Sequence, residues 1–415
     1  MSARAITACR CCGSNELASV LSLGVQYLTG VFPRSPEEKL TSGPLELVKC
    51  MGADSCGLVQ LRHTYDSSEM YGANYGYRSG LNQSMVRHLG ETVAAIVAKY
   101  PPSPGALVLD IGSNDGTTLS FMPSTVRRVG MDPTIVKYGK FYQPSIEKIP
   151  DFFSAKTFRE HFGATKADVV TSIAMFYDLD DPLAFVRDIA DVLAPDGVWY
   201  FEQSYLHTML TQNAYDTICH EHLEYYALRQ IQWMMQRCGL RVIDVQLNDV
   251  NGGSFSITAC REGATHRPNT AAIAAVEASE RAAMLHELAP YHAFATRVAA
   301  HRDALIALIA DIRARGQSVL GYGASTKGNV ILQYCGFTTG DIPAIAEVNP
   351  DKFGAFTPGT HIPIISEAEA HAQKPAFLLV MPWHFRENLI AREAAYLEAG
   401  GKMIFPLPEI SVASA

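Results

Sequence analysis

The stretch Ala106-Leu107-Val108-Leu109-Asp110-Ile111-Gly112-Ser113-Asn114-Asp115-Gly116 does most to narrow what this chain can fold into. An unbroken apolar run that closes on an acid and a glycine-rich turn reads as a buried parallel strand, followed by a helix whose N-terminus approaches a ligand. The dinucleotide fingerprint G-x-G-x-x-G is met only in part. Asn114 stands at its second glycine and Thr117 at its third, so close backbone approach to a pyrophosphate is poorly served.

Val129-Gly130-Met131-Asp132-Pro133 places another acid about 20 residues on, where a second strand would end and a ribose diol could be held. A ligand with a ribose but no pyrophosphate fits both turns. S-adenosylmethionine has that form, with Asp110, Gly112, Asn114 and Asp115 facing its amino-acid portion and Asp132 with Pro133 at its ribose. A strand-turn-helix without a ligand is the alternative. Ala167–Ile173 reads as a further strand, residues 183–193 have helical spacing, Pro195-Asp196-Gly197 reads as a turn, and Val198–Glu202 as the next strand. Alternating strands and helices predict a doubly wound parallel sheet, with the ligand at the carboxyl ends of its strands.

At 415 residues, 48% hydrophobic and 18% charged, the chain has room for two or three domains with large cores. A net charge of −8 argues against a nucleic-acid footprint, which needs a basic face. No stretch approaches the ~18 continuous apolar residues of a membrane span, and no apolar run follows the N-terminal arginines, so the expected compartment is the cytoplasm.

Five of the nine cysteines fall in the first sixty residues. In a reducing compartment such a cluster suggests metal rather than disulfides. Cys9 and Cys12 supply one thiolate pair and Cys50 with Cys56 the other, enough for a structural zinc site, with Cys11 left outside it. The second pair is more widely spaced than usual, and incidental buried thiols are the alternative.

Cys219-His220-Glu221-His222-Leu223-Glu224-Tyr225-Tyr226 crowds two imidazoles, two carboxylates, a thiol and two phenols together. It is not H-E-x-x-H, since Glu224 occupies the second histidine's position, although a His220-x-His222 pair could still hold a metal. After residue 264 the chain turns Ala-rich, and Phe294, Val298, Leu305, Leu308, Ile309 and Ile312 predict a helical connector. From Ser318 a second strand-turn-helix follows, with Gly321, Gly323 and Gly328 in the turn and Lys327 at the head of the helix, a composition suited to an anion.

In order and spacing, the motifs Cys56-Gly57-Leu58-Val59-Gln60-Leu61, Tyr75-Gly76-Tyr77-Arg78-Ser79-Gly80, Asp110–Gly116, His220-Glu221-His222, Gly252-Gly253-Ser254, Gly321–Asn329 and Pro358-Gly359-Thr360 resemble the sugar C-methyltransferases that act on nucleotide-linked 4-keto deoxysugars. The resemblance implies an α/β protein: a zinc-binding module over 1–70, a class I S-adenosylmethionine-dependent methyltransferase core over 71–264, the connector over 265–315, and a C-terminal Rossmann-like domain over 316–415. It also implies C-methylation of a sugar nucleotide, a dTDP sugar first of all. His222 would remove the proton beside the ketone, and Glu221 would orient it or replace it. A histidine suits that work because its ordinary pKa lies near working pH. Tyr75 or Tyr77 would donate to the enolate oxygen, and Tyr322, Lys327, Asn329, Trp383 and His384 would meet the sugar nucleotide.

Two positions depart from the family: Cys219 stands where Tyr is usual, and Asp178 where His is usual. They leave open the sugar accepted and the carbon attacked. They also keep two other readings in play, O-methylation of a hydroxyl and a catalytically silent S-adenosylmethionine-binding homologue.

Overall fold

The computed structural model describes residues 3–66, 70 and 77–415, so Tyr75 lies outside the described residues. The N-terminal module contributes β1 (Arg4–Ala5), β2 (Leu17–Tyr27), β3 (Ser42–Cys50), β4 (Val59–Leu61) and β5 (His63–Thr64). β2, β3 and β4 pair antiparallel in sequence order, and β1 pairs with β5.

Next come β6 (Leu107–Ile111), β7 (Arg127–Met131), β8 (Glu147–Ile149), β9 (Ala167–Ile173), β10 (Leu193–Ser204), β11 (Glu224–Tyr225), β12 (Leu240–Asn248) and β13 (Ser254–Arg261). Seven of them form one sheet in the order β12-β13-β10-β9-β6-β7-β8. β6 to β10 pair parallel, while β13 runs antiparallel to both β10 and β12. Every residue of β6 is buried, as expected for a parallel strand covered on both faces. The strand order reverses between β6 and β9, which opens a crevice at their carboxyl ends.

Pro195-Asp196-Gly197 is not a turn between elements but lies inside β10, where the register against β9 shifts between Leu193 and Val198. The extra residues make a bulge. A Cβ on Gly197 would lie 2.8 Å from the Ala167 carbonyl, so a side chain there would clash with β9.

β11 leaves this sheet altogether. It joins the N-terminal sheet beside β4, with Glu224 opposite Gln60 and Tyr225 opposite Val59.

The connector forms two helices, Thr270–Ala282 and Ala289–Ala314. The second buries Phe294, Val298, Leu305, Ile309 and Ile312 along one face, while Leu308 is only partly buried. Beyond it lie β14 (Val319–Tyr322), β15 (Ile345–Glu347), β16 (Ile364–Ser366), β17 (Phe377–Val380), β18 (Lys402–Phe405) and β19 (Ser411–Ala413). Their order, β16-β15-β14-β17-β18-β19, is the Rossmann order, parallel except for β19. No helix among the described residues is long and apolar enough to cross a membrane.

Candidate active site

The candidate site is built from three groups of residues. The first is the crevice at the end of β6. Asn114 takes φ 50°, in the left-handed region, and its backbone N–H donates to Asp132 Oδ2 at 2.8 Å. Thr134 N–H donates to Asp132 Oδ1 at 2.6 Å. Asp132 therefore ties the end of β7 to the glycine turn, while each carboxylate oxygen keeps acceptor capacity toward the crevice. Gly116 has φ +78°, and a Cβ there would lie 2.9 Å from the Tyr142 ring, whose hydroxyl donates to Asn114 O at 3.1 Å.

Asp110 sits beneath the turn, accepting from Thr171 Oγ1 at 2.5 Å, and burial pushes its pKa up to about 7. Asp115 accepts from Gly80 N–H at 2.9 Å, and Asn114 Oδ1 from Ser79 N–H at 3.0 Å, so the 77–80 segment lies over the turn. Tyr77 is 48% exposed there. Pro133 is half-buried beside Asp132. Tyr142 carried no sequence signal that marked it, and Ser79 and Gly80 were marked only as members of the motif Tyr75-Gly76-Tyr77-Arg78-Ser79-Gly80.

The second is the 219–226 stretch. Leu223 N–H donates to Tyr177 O at 2.8 Å, and Leu223 O accepts from Leu61 N–H at 2.8 Å. One residue thus joins the turn after β9 to the N-terminal sheet. The two histidines diverge. His220 is fully buried, edge-on to Tyr65 at 4.6 Å, and burial lowers its pKa to about 4. His222 lies 4.3 Å from the Tyr177 ring, with Nδ1 2.8 Å from Thr217 O.

A carbonyl can only accept, so Nδ1 carries the proton and Nε2 keeps its lone pair. Burial and then the Lys327 charge lower the His222 pKa to about 3, leaving the ring neutral.

Glu221 turns away toward β2. Its Oε2 accepts from Thr29 Oγ1 at 3.3 Å, and a Cβ on Gly30 would come within 2.5 Å of Oε1. Burial raises its pKa. Asp178 ends the short turn Phe176–Asp178 that follows β9, and Cys219 is fully buried with its thiol pushed up by burial.

The third belongs to the C-terminal sheet. Lys327 Nζ donates to Asn251 O at 2.7 Å, and Trp383 Nε1 to Asp216 Oδ2 at 2.7 Å. Gly252, at φ +88°, lets Trp383 approach, since a Cβ would stand 3.2 Å from its ring. Burial, then Lys327, lowers the His384 pKa to about 3. Lys327, Trp383 and His384 thus stand at the switch point between β14 and β17, against loops of the methyltransferase sheet.

The remaining two expected sugar-nucleotide residues are engaged elsewhere. Tyr322 is buried with its hydroxyl on Glu393 and Arg392, and Asn329 Nδ2 donates to Thr29 O at 2.7 Å. Tyr322 thus links β14 to the Arg392–Glu393 segment, and Asn329 links the helix after β14 to the chain beyond β2.

Cys9, Cys12, Cys50 and Cys56 bring their sulfurs within 4.8 Å of one another. The Cys9–Cys56 and Cys12–Cys50 separations are 3.6 and 3.4 Å. A tetrahedral zinc with Zn–S bonds of about 2.3 Å needs S–S edges of about 3.8 Å, so the quartet fits. The wide second spacing is accommodated by Gly52 and Gly57, at φ +108° and +74°, which turn the chain back so that Cys50 N–H reaches Leu58 O. Cys11 is buried outside the group. Among the described residues this is the one group of three or more His, Cys, Asp and Glu side chains arranged to hold a metal, and His220 and His222 are not part of it.

Family models match in three consecutive pieces: a zinc binding domain over 9–71, a methyltransferase domain over 85–245 and a C-methyltransferase C-terminal domain over 249–408. The chain is 33% identical to the C-methyltransferase NovU of Streptomyces niveus over 418 residues, 99% of this chain and 98% of NovU. Among solved structures, the magnesium protoporphyrin IX methyltransferase of Synechocystis PCC 6803 with bound SAM aligns with TM-score 0.32 and 14% identity, over 42% of this chain and 79% of its own. The plantazolicin methyltransferase BpumL aligns with TM-score 0.36 and 11% identity, over 44% of this chain and 87% of its own.

Proposed function

Because the chain belongs to the C-methyltransferase family and is an S-adenosylmethionine-dependent methyltransferase with a zinc-binding N-terminal domain, we propose that it methylates a ring carbon of a nucleotide-linked 4-keto deoxysugar, a dTDP sugar in the first instance. The observation that carries this reading is His222: a neutral imidazole whose Nδ1–H is spent on Thr217 O, so that Nε2 is a base with a fixed direction.

S-adenosylmethionine, when bound, supplies an electrophilic methyl. Asp132 takes its ribose and the Gly112–Gly116 turn, with Asp110, Asn114 and Asp115, its amino-acid portion. Lys327 draws the diphosphate of the sugar nucleotide to the seam between the two sheets, with Trp383 and His384 beside it. His222 Nε2 then takes the proton from the carbon next to the ketone. The electron pair moves onto the ketone oxygen, where the Tyr77 or Tyr75 phenol donates, and returns through carbon to the methyl as the methyl–sulfur bond breaks and S-adenosylhomocysteine leaves. Asp178, the last residue of the turn that carries Tyr177, would stand beside the acceptor.

The second cause of the low His222 pKa is the Lys327 charge. A diphosphate at Lys327 offsets that charge and raises the basicity of His222 once substrate is in place. Glu221, directed at Thr29 and Gly30, holds the stretch from behind.

The test is incubation of the enzyme with a panel of dTDP-4-keto sugars in deuterium oxide, followed by mass spectrometry. Exchange of one ring C–H and a product heavier by one methyl on carbon are expected. Methylation on oxygen without ring exchange would overturn the reading. Binding of S-adenosylmethionine without turnover on any of the panel would do the same.

A further inference from the structure

The loop between Cys9 and Cys12 carries a side chain that the metal does not use. Arg10 is 97% buried at its side chain, being 3% exposed. Its backbone N–H donates to Gln60 Oε1 at 3.1 Å, and its guanidinium donates to Leu61 O at 2.5 Å and to Thr64 Oγ1 at 2.8 Å. Gln60 Nε2 donates in turn to the sulfur of Cys9 at 3.1 Å.

From that anchorage Arg10 Nε stands 3.8 Å from two carboxylates, Glu224 and Asp180. Asp180 follows the Phe176–Asp178 turn, and Glu224 lies two residues beyond His222 with its side chain wholly buried. Leu61, whose carbonyl Arg10 grips, sends its N–H to Leu223 O, and Leu223 N–H holds Tyr177 O. The strand that follows His222 and the turn whose Tyr177 ring lies 4.3 Å from it therefore converge on one guanidinium.

We infer that Arg10 is a positioning residue for His222, fixing from inside the cysteine loop both the strand after the histidine and the turn whose Tyr177 ring packs against it. The inference rests on the proposed role of His222 only for its effect on turnover. Its structural content is independent of that role. A planar five-donor fork suits the task better than an ammonium, because several acceptors at different angles must be held at once.

The test uses full-length, zinc-loaded protein labelled with 15N-histidine. In the parent, His222 should show a single Nδ1–H tautomer near neutral pH. In Arg10→Met the zinc content and S-adenosylmethionine affinity should stay within about twofold of the parent, while the His222 signals lose the single tautomer. Turnover on the dTDP-4-keto sugar panel should fall ~10²-fold at unchanged KM for S-adenosylmethionine. Arg10→Lys should recover part of the loss.

Should Arg10→Met fail to fold or lose zinc, Glu224→Gln approaches the contact from the other side with almost the same shape and should disturb His222 alike. An unchanged His222 tautomer in whichever of these variants folds would overturn the inference. A disturbed tautomer with unchanged turnover would support the positioning while overturning the role of His222 as base, so the two failures are distinct.

Discussion

The indole N–H of Trp383 donates to the Asp216 carboxylate at 2.7 Å, joining the switch point of the C-terminal sheet to the loop after β10. Asp216 is fully buried, and its other oxygen has no hydrogen-bond partner among the described residues. Trp383→Phe would keep most of the apolar surface and remove the donor. We expect a loss of about 1–3 kcal/mol in stability, the cost of leaving a buried polar group unpaired, read by urea unfolding. No loss would mean that the carboxylate finds another partner.

Asp132 has two duties, holding the Asn114 and Thr134 amides and facing the proposed ribose. Asp132→Ala should weaken S-adenosylmethionine binding by about 1.5–3 kcal/mol in calorimetry, with sugar-nucleotide affinity nearly unchanged. Equal losses for the two ligands would show that the sheet itself had been damaged.

His222 sets the pH behaviour. Its pKa is lowered from the ordinary 6.5 to about 3, so the basic form is present throughout the range from about pH 5 to about pH 8. The pH profile of kcat/KM should then show no acid limb near 6.5 from this residue. The linkage to stability has the same sign: the unfolded state binds the proton more tightly, so this histidine's contribution to stability is complete above 6.5 and is lost as pH falls toward 3. His222→Asn should reduce turnover ~10²- to 10⁴-fold while both ligands still bind, and should remove that part of the acid sensitivity in thermal melts.

Purified protein should hold about one zinc per chain, bound by the four converging thiolates. Cys50→Ser should release it and lower the melting temperature. Because β11 pairs with β4, activity should fall with the metal. Metal analysis finding none in protein never exposed to chelator would remove the assignment.

β6 was legible because a strand covered on both faces reads as an apolar run, and the cysteine quartet because two pairs of soft ligands near one terminus have few other uses. The helical face of the connector followed from its period. The destination of β11 was not legible: two residues carry no period, and their partner strand lies more than 160 positions earlier in the chain. Pro195 and Gly197 read as a turn because their local chemistry matches one, while pairing on both sides of them keeps β10 continuous. The side chains of Tyr322 and Asn329 share a motif with Lys327, yet only the fold decides that their polar ends go to Glu393 and Thr29.

The end of β2 has a consequence for synthesis of the chain. Tyr27 N–H and Tyr27 O are both bonded by the Gln333 side chain, 306 residues away. At about 5–20 residues per second, the first thirty residues wait roughly 15–60 s on the ribosome before that partner exists. Tyr27 is 39% exposed, so water serves its backbone meanwhile. Thr29, fully buried in the finished protein, depends for its carbonyl on Asn329 from the same late helix. The contacts that fix Tyr27 and Thr29 form only after Asn329 and Gln333 have been made, so the end of the earliest-made module is among the last parts to be locked.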